Sequence, residues 1–258
     1  FHKPYNTPPK ISISKPMRLE SRLQERFYKN YMRDKIAVLI STTSDRITDI
    51  RDLDYAYKFL SKNRYEIYAL TQDGCDYRNL RVDGVLTAQN LERLLYYLSK
   101  KIDTKDLLFF YVTGHGSVRE GAGASKENLL GISLPDSLFI EQTFDYYFSK
   151  INPKEGIVLL DICCAGNFVR RFSEDNYVIM CGGENDVYHL SPLSSTFGKR
   201  FINSYSGHKA DKNKDGRVTI DESFDYARKS FCLESIIPPK RAKLLIKSDL
   251  NLDEISLE

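Results

Sequence analysis

No stretch of this 258-residue chain stays apolar for the roughly 18 residues that a membrane-crossing helix needs, so no membrane span is expected. Cysteine is sparse. Cys75, Cys163, Cys164, Cys181 and Cys232 include no C-x-x-C pair, which excludes a zinc ribbon or a thioredoxin motif. Their odd number and irregular spacing fit a reduced, cytoplasmic protein with a few buried thiols. The opening residues, FHKPYNTPPK, have no apolar core of the kind a signal peptide carries, and none is expected. Basic residues form no stripe interleaved with aromatics, and the net charge is only +3, which argues against nucleic acid as a main partner. No G-x-x-x-x-G-K-[ST] occurs, and the segment from Gly114 carries Arg119 where G-x-G-x-x-G needs its last glycine. Internal repeats are absent.

The residues that are present describe an ordinary globular chain, 41% hydrophobic and 28% charged, of a length that suits one large α/β domain. Residues 1–34 read as an arm, rich in proline and basic residues, followed from Met17 by helical spacing; this arm is a candidate tether for a regulatory partner. The domain proper spans 35–258. KIAVLIST, YEIYALTQ, DLLFFYVTGHG, EGIVLLDICCAG and NYVIMCGG are apolar runs of strand length. Between them lie helical patterns: DLDYAYKFLSKN, TAQNLERLLYYLSKKI with Thr87 as N-cap, residues from Ser137 to Lys150, and SPLSSTFGKRFINSY. SVREGAGASKEN reads as a glycine-rich loop. Alternating strands and helices imply right-handed crossovers, a mostly parallel sheet and helices on both faces, with ligands bound beyond the carboxyl ends of the strands.

Two of those strand ends carry reactive side chains. YVTGHGS places His115 between Gly114 and Gly116, and LLDICCAG places Cys163 and Cys164 ahead of Ala165 and Gly166. A thiol needs a neighbouring base to become a nucleophile at neutral pH, and imidazole has a suitable pKa to take that proton and return it to a leaving amine. Glycine beside the histidine lets backbone approach a substrate carbonyl, and the amides of Gly116 and Cys163 could then hold an oxyanion. Each element alone has an ordinary explanation as loop or core residue; the pair is the specific feature.

YVTGHG and LLDICCAG resemble the histidine and cysteine segments of clan CD cysteine peptidases, nearest to the branch of legumain and the catalytic subunit of the GPI transamidase. DLDYAYKFLSKNRY is similar to the first helix of legumains, and element order agrees from about Lys35 to Tyr205. The resemblance implies a caspase-like three-layer α/β/α sandwich, a protein or peptide substrate and a Cys–His dyad of Cys163 and His115. A caspase pattern would select Cys164 instead; the legumain pattern, with Asp161 two residues ahead, selects Cys163.

Strand alternation puts Asp161 on the same side as Cys163, where it would pair with a basic P1 side chain, Arg or Lys. The same aspartate could instead cap a backbone amide. In legumains an arginine after the first strand helps accept Asn, and here Asp45 and Arg46 occupy that loop. Acyl transfer to an amine, as in the transamidase, and a silent interaction module of the same fold are the alternatives to hydrolysis. With basic P1, Arg119, Lys126, Arg170 and Arg171 become candidate self-cleavage points.

DKNKDGRVTIDE matches the twelve-position calcium loop of an EF-hand: Asp211, Asn213 and Asp215 at positions 1, 3 and 5, Gly216 at the turn, then the Arg217 carbonyl, Thr219 and a bidentate Glu222. SFDYARKSF follows as exit helix, without a clear entering helix. Calcium is the expected ion, with a metal-free polar turn as the alternative.

Overall fold

The computed structural model describes residue 19 and residues 34–43, 49–119, 129–163, 165–172, 174–182, 197–234 and 245–258. The chain runs β1 (Lys35–Ser41), α1 (Asp49–Lys62), β2 (Glu66–Thr71), β3 (Gly84–Val85), α2 (Ala88–Lys101), β4 (Leu107–Gly114), β5 (Gly116–Arg119), β6 (Leu129–Ser133), β7 (Leu138–Ile140) and α3 (Glu141–Phe148). It continues with β8 (Glu155–Ile162), α4 (Gly166–Arg171), β9 (Tyr177–Cys181), α5 (Phe197–Ser204), α6 (Ile220–Glu234) and β10 (Leu245–Ser248).

Strands that are apolar at every position must be covered on both faces, and these are. Seven strands form one sheet in the order β10-β9-β8-β4-β1-β2-β3, parallel except where β10 pairs antiparallel with β9. Side chains alternate across it. Val38, Phe110 and Leu160 join a core with Leu94 of α2, Phe144 of α3 and Phe168 of α4. Leu39, Tyr111 and Leu159 point the other way, toward Leu53 of α1, Phe201 of α5 and Phe224 of α6. The result is a three-layer α/β/α sandwich, the fold class the sequence predicts. No described helix is long and apolar enough to cross a membrane.

Thr87 caps α2 as expected, its hydroxyl accepting the Asn90 N–H at 3.1 Å. Other expectations need correction. The helix expected from Ser137 to Lys150 begins only at Glu141, because Leu138–Ile140 forms β7. The loop expected from Ser117 contains most of β5, whose partner β6 and their neighbour β7 make a separate three-stranded antiparallel sheet. Strand β8 ends at Ile162, one residue short of Cys163. The arm at 1–34 lies outside the described residues except for Leu19 and Asp34.

Two glycines mark close packing, one between neighbouring strands and one between helix and sheet. A Cβ on Gly156 of β8 would enter the Tyr177 ring, and one on Gly198 of α5 would enter the ring of Tyr111. Tyr177 belongs to an aromatic cluster on the α3 side. There Phe148 stacks on Phe144 at 4.1 Å and meets Phe110, Phe172 and Tyr177 edge-on at 5.1, 5.9 and 5.5 Å. Phe148 is fully buried, so Phe148→Ala is expected to cost about 3–5 kcal/mol, read as a lowered urea midpoint at unchanged slope. A loss below about 1 kcal/mol would contradict this packing.

Candidate functional site

β4 and β8 are neighbours in parallel, in register from Leu107 opposite Glu155 to Thr113 opposite Asp161 and Gly114 opposite Ile162. His115 and Cys163 are the residues that directly follow the last pair of that ladder. Adjacent strands lie about 4.8 Å apart, so the two residues leave the sheet side by side at its carboxyl edge. A second observation agrees. A Cβ built on Gly116 would overlap the Cys163 carbonyl oxygen and come within 3.1 Å of its carbonyl carbon and 3.4 Å of its nitrogen. The backbone after His115 therefore lies directly on the backbone of Cys163. His115 is exposed and Cys163 half-buried as a free thiol, so the pair faces solvent at the rim.

The backbone around His115 is held on several sides. Its N–H donates to Thr42 Oγ1 at 2.5 Å, and its carbonyl accepts the Ser133 N–H at 3.1 Å. Because that bond joins residues 115 and 133, Gly116 and Ile132 form a non-hydrogen-bonded antiparallel pair, and the Gly116 amide points away from β6. That amide is the donor expected, together with the amide of Cys163, to hold an oxyanion.

The same edge is a topological switch point. After β1 the chain crosses to α1 on one face; after β4 it passes through β5–β7 to α3 on the other. The crevice between diverging connections is where open α/β sheets bind ligands. Thr42 and His115 stand at its two sides.

Asp161 is placed differently from the expectation. It is about nine-tenths buried, and its Oδ2 accepts the Gly198 N–H at 2.8 Å in the first turn of α5. Strand alternation stops at Ile162: Cys163 sits in a turn and packs against the core on the α2–α4 side, whereas Asp161 faces α5 in the opposite layer. The two do not share a side as alternation alone would have it. Asp45 and Arg46 lie outside the described residues, as do Cys164 and Lys126. Arg119 falls within β5, while Arg170 and Arg171 end α4.

The segment from Asp211 to Glu222 follows α5 and leads into α6. Gly216 has φ +83°, the left-handed turn that a twelve-position calcium loop asks of glycine. Asp211 Oδ2 accepts the Gly216 N–H at 3.0 Å, Asn213 Oδ1 that of Asp215 at 3.0 Å, and Asp215 Oδ1 that of Arg217 at 2.8 Å. Glu222 reaches back with Oε1 to the Lys212 N–H at 2.9 Å and with Oε2 to the Thr219 N–H at 3.1 Å. The other oxygen of Asp211, Oδ1, is buried without a hydrogen-bond partner. Even so, among the described residues no three His, Cys, Asp or Glu side chains converge as a metal-holding group. The fit is partial: the chain path and one orphaned oxygen suit a cation, while the remaining carboxylates bind amides of their own loop.

No protein-family model matches the chain, and no curated protein matches it. Solved structures do share its fold. Protein GSU0716 from Geobacter sulfurreducens superposes with a TM-score of 0.62 at 10% identity, over 86% of this chain and 97% of that one. At this identity the likeness speaks for the three-layer fold alone.

Lys212 also anchors the loop to α6 through Asp225, Nζ to Oδ2 at 2.6 Å, and Arg228 reaches the other oxygen at 2.7 Å. The Lys212 hydrogen bond, more than any other cause, holds the Asp225 carboxyl below its usual range. A lowered pKa contributes stability above the unfolded value, near 4, which is lost as pH falls through the folded one. Asp225→Asn should therefore lower the urea midpoint slightly at neutral pH, with the gap from wild type closing as pH falls below about 4. A gap that widened on acidification would contradict this sign.

Proposed function

We propose that the protein is a cysteine endopeptidase of the clan CD type, with Cys163 as nucleophile and His115 as general base. The register of β4 against β8, which ends with Gly114 opposite Ile162 directly before His115 and Cys163, is the observation that carries the proposal. His115 takes the Sγ proton, and the thiolate adds to the scissile carbonyl carbon as its π electrons move to oxygen. The Gly116 and Cys163 amides stabilise that oxyanion; donors of this kind are worth about 3 kcal/mol each. Collapse breaks the C–N bond, and His115 delivers its proton to the departing amine. Water, deprotonated by the same imidazole, then hydrolyses the thioester and regenerates the thiol. A reducing compartment, the cytoplasm, keeps such a thiol free.

Cleavage after Arg or Lys is the P1 preference proposed, with Asp161, near the end of β8, as the acid that would receive the cation. Asp161 accepts the Gly198 amide on the α5 side, opposite to the face on which Cys163 packs, so a P1 cation would have to reach it past the end of β8. Fluorogenic peptides differing only at P1 test this. Arg and Lys substrates are expected to be turned over, Cys163→Ala to abolish turnover, and Cys164→Ala to keep most of it. Preference for Asn or Asp at P1 would remove the role given to Asp161. Failure of an active-site thiol probe to label Cys163 would leave a silent module of this fold.

The orphaned Asp211 Oδ1 favours a second role, calcium binding by the loop at 211–222. Asp211, Asn213, Asp215, the Arg217 carbonyl, Thr219 and Glu222 would supply the oxygens, and the ion would tie the loop to α6. A ligand that binds only the folded state stabilises it by about 2.7 kcal/mol at a hundred times its Kd. Calcium is thus expected to raise the melting temperature, EGTA to reverse it, and Asp211→Ala to abolish the response. An unchanged melting temperature would remove calcium from the account.

A further inference from the structure

We infer that Thr42 is a positioning residue for His115, an assignment that rests on the peptidase function proposed above. Strand β1 ends at Ser41, yet its ladder with β4 continues one step, the Thr42 N–H donating to the Thr113 carbonyl at 3.0 Å. The Thr42 side chain then brackets the next residue of the β4 segment. Its Oγ1 accepts the His115 N–H at 2.5 Å and donates to the His115 carbonyl at 3.4 Å. Thr42 is itself fixed. It is 5% exposed, and the Ser41 hydroxyl closes the turn around it by donating to the Thr43 carbonyl at 3.0 Å.

Gly114 makes this approach possible. Its φ of +121° belongs to a region that side chains rarely enter, and a Cβ there would overlap Thr42 Oγ1. The Ser133 N–H holds the His115 carbonyl from the other side. With both flanking peptide groups anchored, the Cα–Cβ bond of His115 has a set direction. The exposed imidazole keeps only its two side-chain torsions. A partly buried N–H left without an acceptor is unfavourable, so loss of the Thr42 hydroxyl would let the peptide at residue 115 rotate in search of one. Such a rotation swings the imidazole, and a displacement of about 1 Å costs on the order of a hundredfold in reactions that need contact.

The test is the pH dependence of iodoacetamide alkylation at Cys163, followed by mass spectrometry in a Cys164→Ala background so that one thiol is read. His115→Ala sets the baseline, and urea unfolding monitors the fold. Thr42→Val keeps shape but removes the acceptor; it is expected to slow alkylation below pH 8 by about tenfold or more, toward the His115→Ala rate. Thr42→Ser restores the acceptor and should stay within about threefold of the parent. If Thr42→Val does not fold, Thr42→Ala is judged by the same criterion. If His115→Ala slows Cys163 while Thr42→Val or Thr42→Ala leaves it at the parent rate, the positioning role is overturned and the dyad stands. If His115→Ala changes nothing, the dyad itself fails and the role of Thr42 falls with it.

Discussion

The ladder between β4 and β8 governs the rest of the molecule. Its register is held from both faces at once: Phe110 and Leu160 meet the aromatic layer of α3 and α4, while Tyr111 and Leu159 meet α5 and α6. A slip by one residue would send every side chain of a strand to the opposite layer. In a strand buried on both faces such a slip meets mismatched volumes on each side. Gly156 and Gly198 sharpen the constraint, because each leaves room for one particular tyrosine ring. Core packing thereby sets which residue after β8 stands beside His115, although neither His115 nor Cys163 belongs to a strand.

Much of this was legible in the sequence, and the reason is burial. Runs such as KIAVLIS and LLFFYVTG have no polar face, and only a strand in a covered parallel sheet uses such a run well. The helices α1 and α2 announce themselves by their apolar stripes. Short elements carry no comparable signal. β3 is two residues long, and β5–β7 are three to five residues each, with apolar positions that also fit a helix: Leu138, Phe139 and Ile140 precede Phe144 and Phe148 at spacings a helix would accept. The chain turns between β6 and β7 at Pro135 and Asp136, and the Asp136 carboxylate accepts the first amide of α2, a long-range bond that no local pattern announces.

At the site, the residue types were readable and their facing was not. His115 and Cys163 are marked by glycine-flanked strand ends. Period-two alternation predicts that Asp161 and Cys163 share a side, but the rule holds only while the backbone stays extended, and here it stops at Ile162. The partner that claims Asp161, Gly198, lies far along the chain and belongs to a helix whose register no local pattern discloses. The role of Thr42 is hidden for the same reason. A hydroxyl after a first strand has no meaning until β1 and β4 are known to be neighbours.

The two glycines flanking His115 serve separate needs, and that difference explains why the histidine can be both exposed and well placed. Gly114 is required by its backbone angle and by the Thr42 hydroxyl beside it; Gly116 is required by space, since the Cys163 carbonyl occupies the place of a side chain. One brings β1 against the histidine backbone, the other brings the Cys163 segment against it. A side chain held by packing would be buried. Here the peptide groups carry the restraint and leave the imidazole at the surface, so order and access do not compete for the same atoms.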